Sequence, residues 1–283
     1  MATRDQKNQE RKRGTRRIQG RFYRRMVRVF GILLALLVLA NIIKGDQEFS
    51  DEENRMLARR PKLTWEALVS GDYMTDFESY VSGQFFARNQ WITLKLYEDM
   101  LLGKKESNGV YLAKDGYLME KPDEPDWDRV SANMAAVSAF AERHPDIATY
   151  MCMVPNAFYI FEDKLPAQAP VRDQEADLQR IRELKGESVH DINVTDVLKE
   201  HADEVIYYKT DHHWTSLGAY YAFGVVAGAM GIENVASDYS IHTVASDFQG
   251  TLASKSGYHG SEDIIEVYEA ADIEPDYIVS YVE

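Results

Sequence analysis

Read as apolar and polar positions, the chain opens with one long apolar run and continues as a series of shorter amphipathic ones. Residues 26–43 read MVRVFGILLALLVLANII, with Arg28 and Asn41 as strongly polar interruptions. The run is 15 residues counted from Val29 and 18 counted from Met26. That is near the lower limit for a helix crossing a hydrocarbon core of about 30 Å, and Arg28 can snorkel back to the headgroups. Residues 44–62 are charged, carry Pro61 near their end, and read as a juxtamembrane linker. Thr64 is a plausible N-cap for a helix whose apolar face carries Leu68, Tyr73, Phe77 and Tyr80. Gly83 interrupts that run, and residues 85–102 form a second helical stretch.

The pattern then changes. Residues 109–112 (Gly-Val-Tyr-Leu) and 116–119 (Gly-Tyr-Leu-Met) flank a turn ending Asp115-Gly116, which predicts a β-hairpin. Val130, Met134, Val137, Phe140 and Ala141 share one side of a helix over 126–143, which His144-Pro145-Asp146 stops. Residues 147–154 (IATYMCMV) are almost continuously apolar and end at Pro155-Asn156, the pattern of a parallel strand covered on both faces. Helices are predicted over 170–185, 194–201 and 216–230, and strands over 205–208, 262–268 and 277–282. Helix alternating with strand predicts a layered α/β fold.

Charge divides the chain at the apolar run. Residues 1–43 carry 11 Lys and Arg against two Asp and Glu, whereas residues 44–283 carry 21 against 44. A basic flank before an apolar span keeps that flank cytoplasmic. The division is therefore a basic cytoplasmic tail (1–25), a transmembrane anchor (26–43), a linker (44–62) and an extracytoplasmic domain (63–283), in a single-pass protein of the cell membrane. The competing reading is a signal peptide cut after Val38-Leu39-Ala40. The basic region is long for one, and no clean small-x-small pattern follows. A buried core helix is a third reading. Basic residues against an apolar span are explained by topology and anionic lipid, and an acidic domain repels phosphates, so no nucleic-acid partner is expected. The single cysteine, Cys152, excludes an intrachain disulfide and zinc sites that need two or more cysteines.

The densest set of reactive side chains is Asp211-His212-His213-Trp214-Thr215-Ser216, where a predicted strand gives way to a helix. Sites in α/β folds collect at such junctions. An Asp two residues before a His can hold one ring nitrogen and leave the other as a general base. Trp214 can wall a pocket, and Thr215 can cap the helix. The plain alternative is that both histidines are satisfied helix-start residues. Asp211 and two histidines also suit a metal, but neighbouring histidines in extended chain point to opposite faces, so no metal and no other cofactor is expected. Ser254 and Ser256 read as loop residues, Ser216 as a first-turn residue, Cys152 as a buried structural thiol, and His242 and His259 as isolated.

Residues 210–215 (Thr-Asp-His-His-Trp-Thr), with Ser216-Leu217-Gly218-Ala219-Tyr220 after them, resemble the signature of bacterial DHHW proteins. Those are similar to the SGNH-hydrolase-like domains of alginate O-acetylation proteins. Weaker blocks agree: Glu53-Asn54-Arg55, Phe77-Glu78-Ser79-Tyr80 before Phe85-Phe86-Ala87-Arg88, the 109–118 hairpin, Val154-Pro155-Asn156, and Gly250-Thr251-Leu252 with Ser254-Lys255-Ser256-Gly257. The resemblance covers about residues 45–283. It implies a three-layer SGNH-like α/β domain and an Asp-His-Ser triad, with Asp211 as the acid and His213 as the base. His212, Trp214 and Thr215 would be supporting residues. The implied nucleophile sits in a Gly-Asp-Ser-like turn after a later strand, and this sequence contains no Gly-Asp-Ser. That block is expected beyond Glu283, so the domain is read as truncated and, as given, inactive; the other reading is a member that has lost its nucleophile. The implied chemistry is transfer of an acetyl group to an envelope glycan or to water, with a membrane-bound O-acyltransferase as partner. The alternative is a non-catalytic ectodomain that binds a glycan or a protein.

Overall fold

The computed structural model of the chain describes residues 4–50, 55–233, 236 and 238–271, with side chains from Gln19 onward. Glu53, Asn54 and the strand expected over 277–282 lie outside the described residues. The chain divides into two compact units, residues 1–88 and 89–283.

In the first unit, α1 (Arg4–Lys44) is a single helix. Its apolar part, Gln19–Lys44, is 26 residues with none of its most apolar window buried, long and apolar enough to cross a membrane. A two-residue ladder joins β1 (Phe49–Ser50) to β2 (Arg55–Met56). Thr64 caps α2 (Trp65–Ser70) as expected, its Oγ1 accepting from Ala67 N at 3.2 Å. The sequence pattern runs one helix through to Gly83, but the structure breaks it at Gly71. That residue takes φ +89°, the left-handed conformation that ends helices, and α3 (Asp72–Gly83) follows.

The second unit opens with α4 (Arg88–Leu101). The expected hairpin is present as β4 (Val110–Leu112) against β5 (Leu118–Glu120), in the register Tyr111↔Met119, with β3 (Glu106–Ser107) on the outer side of β4. Asp126 caps α5 (Trp127–Arg143) by accepting from Arg129 N. β6 (Thr149–Met153) lies parallel to β7 (Val189–Asn193), a strand that the sequence pattern did not reveal. β6 is only half-buried along its length and pairs with β7 alone among the described residues, so it is not the fully covered strand expected. Between them come α6 (Ala157–Ile160) and α7 (Gln174–Leu184), and α8 (Thr195–Glu200) follows β7. Residues 205–208 do not form a strand. They fold back on the next segment through one bridge, Tyr207↔Trp214. α9 (Ser216–Met230) runs from its Thr215 cap to Gly231.

The last elements are β8 (Tyr239–Phe248), α10 (Thr251–Ser256) and β9 (Asp263–Ala270), with β8 and β9 antiparallel. The main core joins Tyr117 and Met119 of the hairpin to Phe158, Phe161, Leu198, Ile206 and Tyr207. Tyr207 is fully buried and donates its hydroxyl to the carbonyl of Pro155 at 2.6 Å. A smaller cluster, Val110, Leu118, Leu252 and Ala253, packs α10 against the hairpin. That contact fixes the start of α10 beneath residues 209–213.

Candidate functional site

Residues 206–215 form a tight return. Thr215 N donates to Ile206 O at 2.9 Å and Tyr208 N to His213 O at 3.1 Å, which leaves 209–213 at its tip. Thr215 caps α9, its hydroxyl accepting from Gly218 N and donating to Val205 O at 2.7 Å. Gly218 has no side chain for a reason: a Cβ there would collide with the Ile206 carbonyl. Trp214 packs against the main core.

Thr210 is the hidden centre of this loop. It is fully buried, and every polar backbone and side-chain group is engaged. Its N and Oγ1 donate to Asp263 Oδ2 at 2.7 and 2.5 Å, and Lys209 N donates to Asp263 Oδ1 at 2.7 Å. Its Oγ1 also accepts from Gly250 N at 2.9 Å, and its carbonyl accepts from Leu252 N and Ala253 N at 3.1 Å. Buried polar groups need such partners. Here they tie the tip of the loop to the first turn of α10 and the start of β9.

Asp211 follows in the chain. Its side chain is 6 % exposed, whereas that of His213 is 65 % exposed. Asp211 Oδ1 meets His213 Nδ1 at 2.6 Å and accepts from His213 N at 3.0 Å. Its Oδ2 accepts from both N and Oγ1 of Thr251 at 2.9 Å. Burial pushes its carboxyl pKa up, but the four bonds outweigh that and hold it at about 2. Asp211 is therefore a carboxylate at neutral pH, gripping one nitrogen of a ring that projects to solvent. A proton on His213 Nδ1 satisfies Asp211 and leaves Nε2 as a free acceptor. His212 lies beside it, ring centroids 4.0 Å apart, with Nδ1 at 3.1 Å from Thr251 Oγ1. Thr251 thus touches both Asp211 and His212. Gly250 allows that approach, since a Cβ on it would run into the Asp211 side chain.

The structure gathers Asp211, His212 and His213 within 4.8 Å, a spacing that also suits a metal. Both Nδ1 atoms, however, are turned onto protein acceptors. Ser216 donates to Glu266 O at 2.5 Å, Ser254 to Gly250 O at 3.4 Å, and Ser256 is buried and donates to Leu252 O. Cys152 is half-buried, and burial raises its thiol pKa. His242 and His259 have the partners Glu269 and Gln249. Sequence reasoning missed Asp263 and the roles of Thr210 and Thr251. The blocks 210–215 and Gly250-Thr251-Leu252 held the two threonines but gave neither a role. Each lies 40 to 53 residues from its partner, a separation that no local pattern encodes.

The family model of the SGNH hydrolase-like domain of the acetyltransferase AlgX matches residues 114–267, a stretch that holds every site residue named above. It spans more than half of the chain. The protein belongs to this AlgX-type SGNH hydrolase-like family. Among solved structures, this AlgX-type chain is similar to a DHHW family protein from Eubacterium siraeum at 22% identity and TM-score 0.48, covering 58% of this chain and 55% of that one. It is also similar to Bacillus cereus PatB1 carrying a sulfonyl adduct, at 18% and 0.47, covering 58% and 57%. A third is the O-acetyltransferase domain of Pseudomonas putida AlgJ, at 18% and 0.45, covering 58% and 66%. The chain spans less than two thirds of the length of each of these structures. No curated protein sequence matches it.

Proposed function

We propose that this AlgX-type domain supplies the Asp–His half of a Ser-His-Asp centre for acyl transfer at the cell envelope. The observation that carries the reading is the 2.6 Å contact between a buried, ionised Asp211 and the Nδ1 of a solvent-facing His213. In the proposed cycle, His213 Nε2 takes the proton from a serine hydroxyl as its oxygen bonds to the acetyl carbonyl carbon. The proton then passes to the leaving oxygen of the donor as that C–O bond breaks. A glycan hydroxyl, or water, next gives its proton to Nε2 and attacks the acetyl-serine ester, and the serine regains its proton from His213. Asp211 holds the ring in the productive tautomer and stabilises the imidazolium at each stage. No step calls for a metal or an organic cofactor.

The domain boundaries fit this use: basic tail 1–25 in the cytoplasm, span 26–43, linker 44–62, and the acyl-transfer domain outside. The donor on that side would be an acetyl group exported by a membrane-bound O-acyltransferase, and the acceptor a polysaccharide of the envelope. The test is acetyl-ester turnover by the full-length protein, with and without His213→Ala. Turnover should fall by at least about 10³-fold. Turnover unchanged in a folded variant would remove His213 as the base and favour a binding role.

A further inference from the structure

Helices α2 and α3 have no buried residue between them, yet each carries an apolar stripe. Trp65, Leu68 and Val69 line one side of α2, with Trp65 79% and Val69 71% exposed. Met74, Phe77 and Val81 follow at helical spacing on α3, with Met74 62% exposed. Thr75, Ser79 and Ser82 occupy the opposite side. Leaving such stripes in water forgoes about 25 cal/mol for each Å² of apolar surface that could be covered.

The position of α3 indicates what covers them. Tyr80 donates its hydroxyl to Asp46 Oδ1 at 2.8 Å. Gln84 is buried and bonds the backbone of Gln47 in both directions, at 2.7 and 3.0 Å. Phe86 N donates to Asn41 Oδ1 at 2.8 Å. These bonds fasten the end of α3 to residues 41–47, on either side of the last residue of α1, Lys44. At 1.5 Å per residue, the 20 residues back to Trp65 reach at most about 30 Å from that exit point. Between Gln47 and Trp65 the chain carries Glu48, Asp51, Glu52 and Glu53 before Arg55, Arg59, Arg60 and Lys62, and Arg59 pairs with Glu48 at 2.8 Å, so its charge is balanced and the apolar stripes supply the attraction.

We infer that α2 and α3 dock on the bilayer, with their apolar stripes in the boundary between headgroups and acyl chains beside the point where α1 leaves the membrane. This rests on the proposed span. Tryptophan and tyrosine favour that layer, and an amphipathic helix sinks into it by about 5–10 Å. The element would hold the start of the ectodomain flat against the lipid surface.

The test uses the full chain in a Cys152→Ser background, in vesicles of phosphatidylcholine with a minority of phosphatidylglycerol. An environment-sensitive fluorophore is attached at Met74→Cys, or at Ser79→Cys as the control. Lipids brominated high on the acyl chain should quench position 74 at least about three times more strongly than position 79, and more than lipids brominated at the chain end do. Carbonate extraction is run beside it. Equal quenching at both positions, with the chain still resistant to carbonate, overturns the docking alone. So does a blue-shifted probe that bromolipid leaves unquenched, since protein would then be the cover. Release of the chain by carbonate overturns the docking together with the span.

Discussion

At the scale of single residues, the site is an exposed imidazole governed by a concealed carboxylate. Asp211 has all its bonds within the loop and the first turn of α10, and those bonds hold its pKa at about 2. A group depressed in this way adds stability above its unfolded value, near 3.9. The contribution is lost only as pH falls from about 4 through about 2. Thr251→Ala removes one of the two donors on Oδ2 and should raise that pKa, whereas Thr251→Ser should leave it near its present value. The carboxyl-carbon chemical shift of Asp211 in an acid titration reads both outcomes. Asp211→Asn keeps the shape but offers an amide where His213 needs an acceptor. Acetyl-ester turnover by the full-length protein should fall by about 10⁴-fold, the cost of the same exchange in serine proteases, with its circular dichroism unchanged.

At the scale of elements, the loop stands on Asp263 and the N-terminal turn of α10. Asp263 satisfies three donors, two buried on Thr210 and one part-buried on Lys209. Asp263→Ala strands all three and should cost roughly 3 kcal/mol or more in denaturant unfolding. Gly218→Ala forces a methyl onto the Ile206 carbonyl and should cost about 1–3 kcal/mol as α9 shifts away. The local elements were legible in the sequence because their signals are local. Thr64 and Thr215 cap where their side chains predict, and the apolar spacing of α5 and the composition of α9 mark their spans. Asp211 and His213 were legible as neighbours in the chain. β7, β8 and α10 were not. β7 (VHDIN) mixes polar with apolar residues, β8 is largely exposed and shows no clean alternation, and α10 lies in a stretch rich in glycine and serine. The residues 205–208 look like a strand by composition, but their carbonyls and amides serve the return to Thr215.

At the scale of the whole molecule, a helix long enough to cross a membrane precedes a domain of AlgX type. The charge contrast across it, basic before and acidic after, sets the proposed orientation. Protease applied to the outer face of intact membranes should then remove everything beyond the linker and spare the basic tail. A fully protected domain would reverse the topology. The proposed docking of α2 and α3 adds that protease should cut residues 65–83 more slowly in vesicles than in detergent. The proposed acyl chemistry calls for a serine that the described residues do not present to His213. What can be tested on this chain directly is the Asp211–His213 half-site of that proposal.

The most direct test of that half-site is nitrogen-detected NMR of the imidazole of His213 in the folded chain. The account predicts, for the neutral ring, a proton on Nδ1 bonded to Asp211 and shifted far downfield, with Nε2 unprotonated. Asp211→Asn should abolish that signal. A ring carrying its proton on Nε2, or one unchanged by Asp211→Asn, would contradict the assignment of His213 as the base held by Asp211.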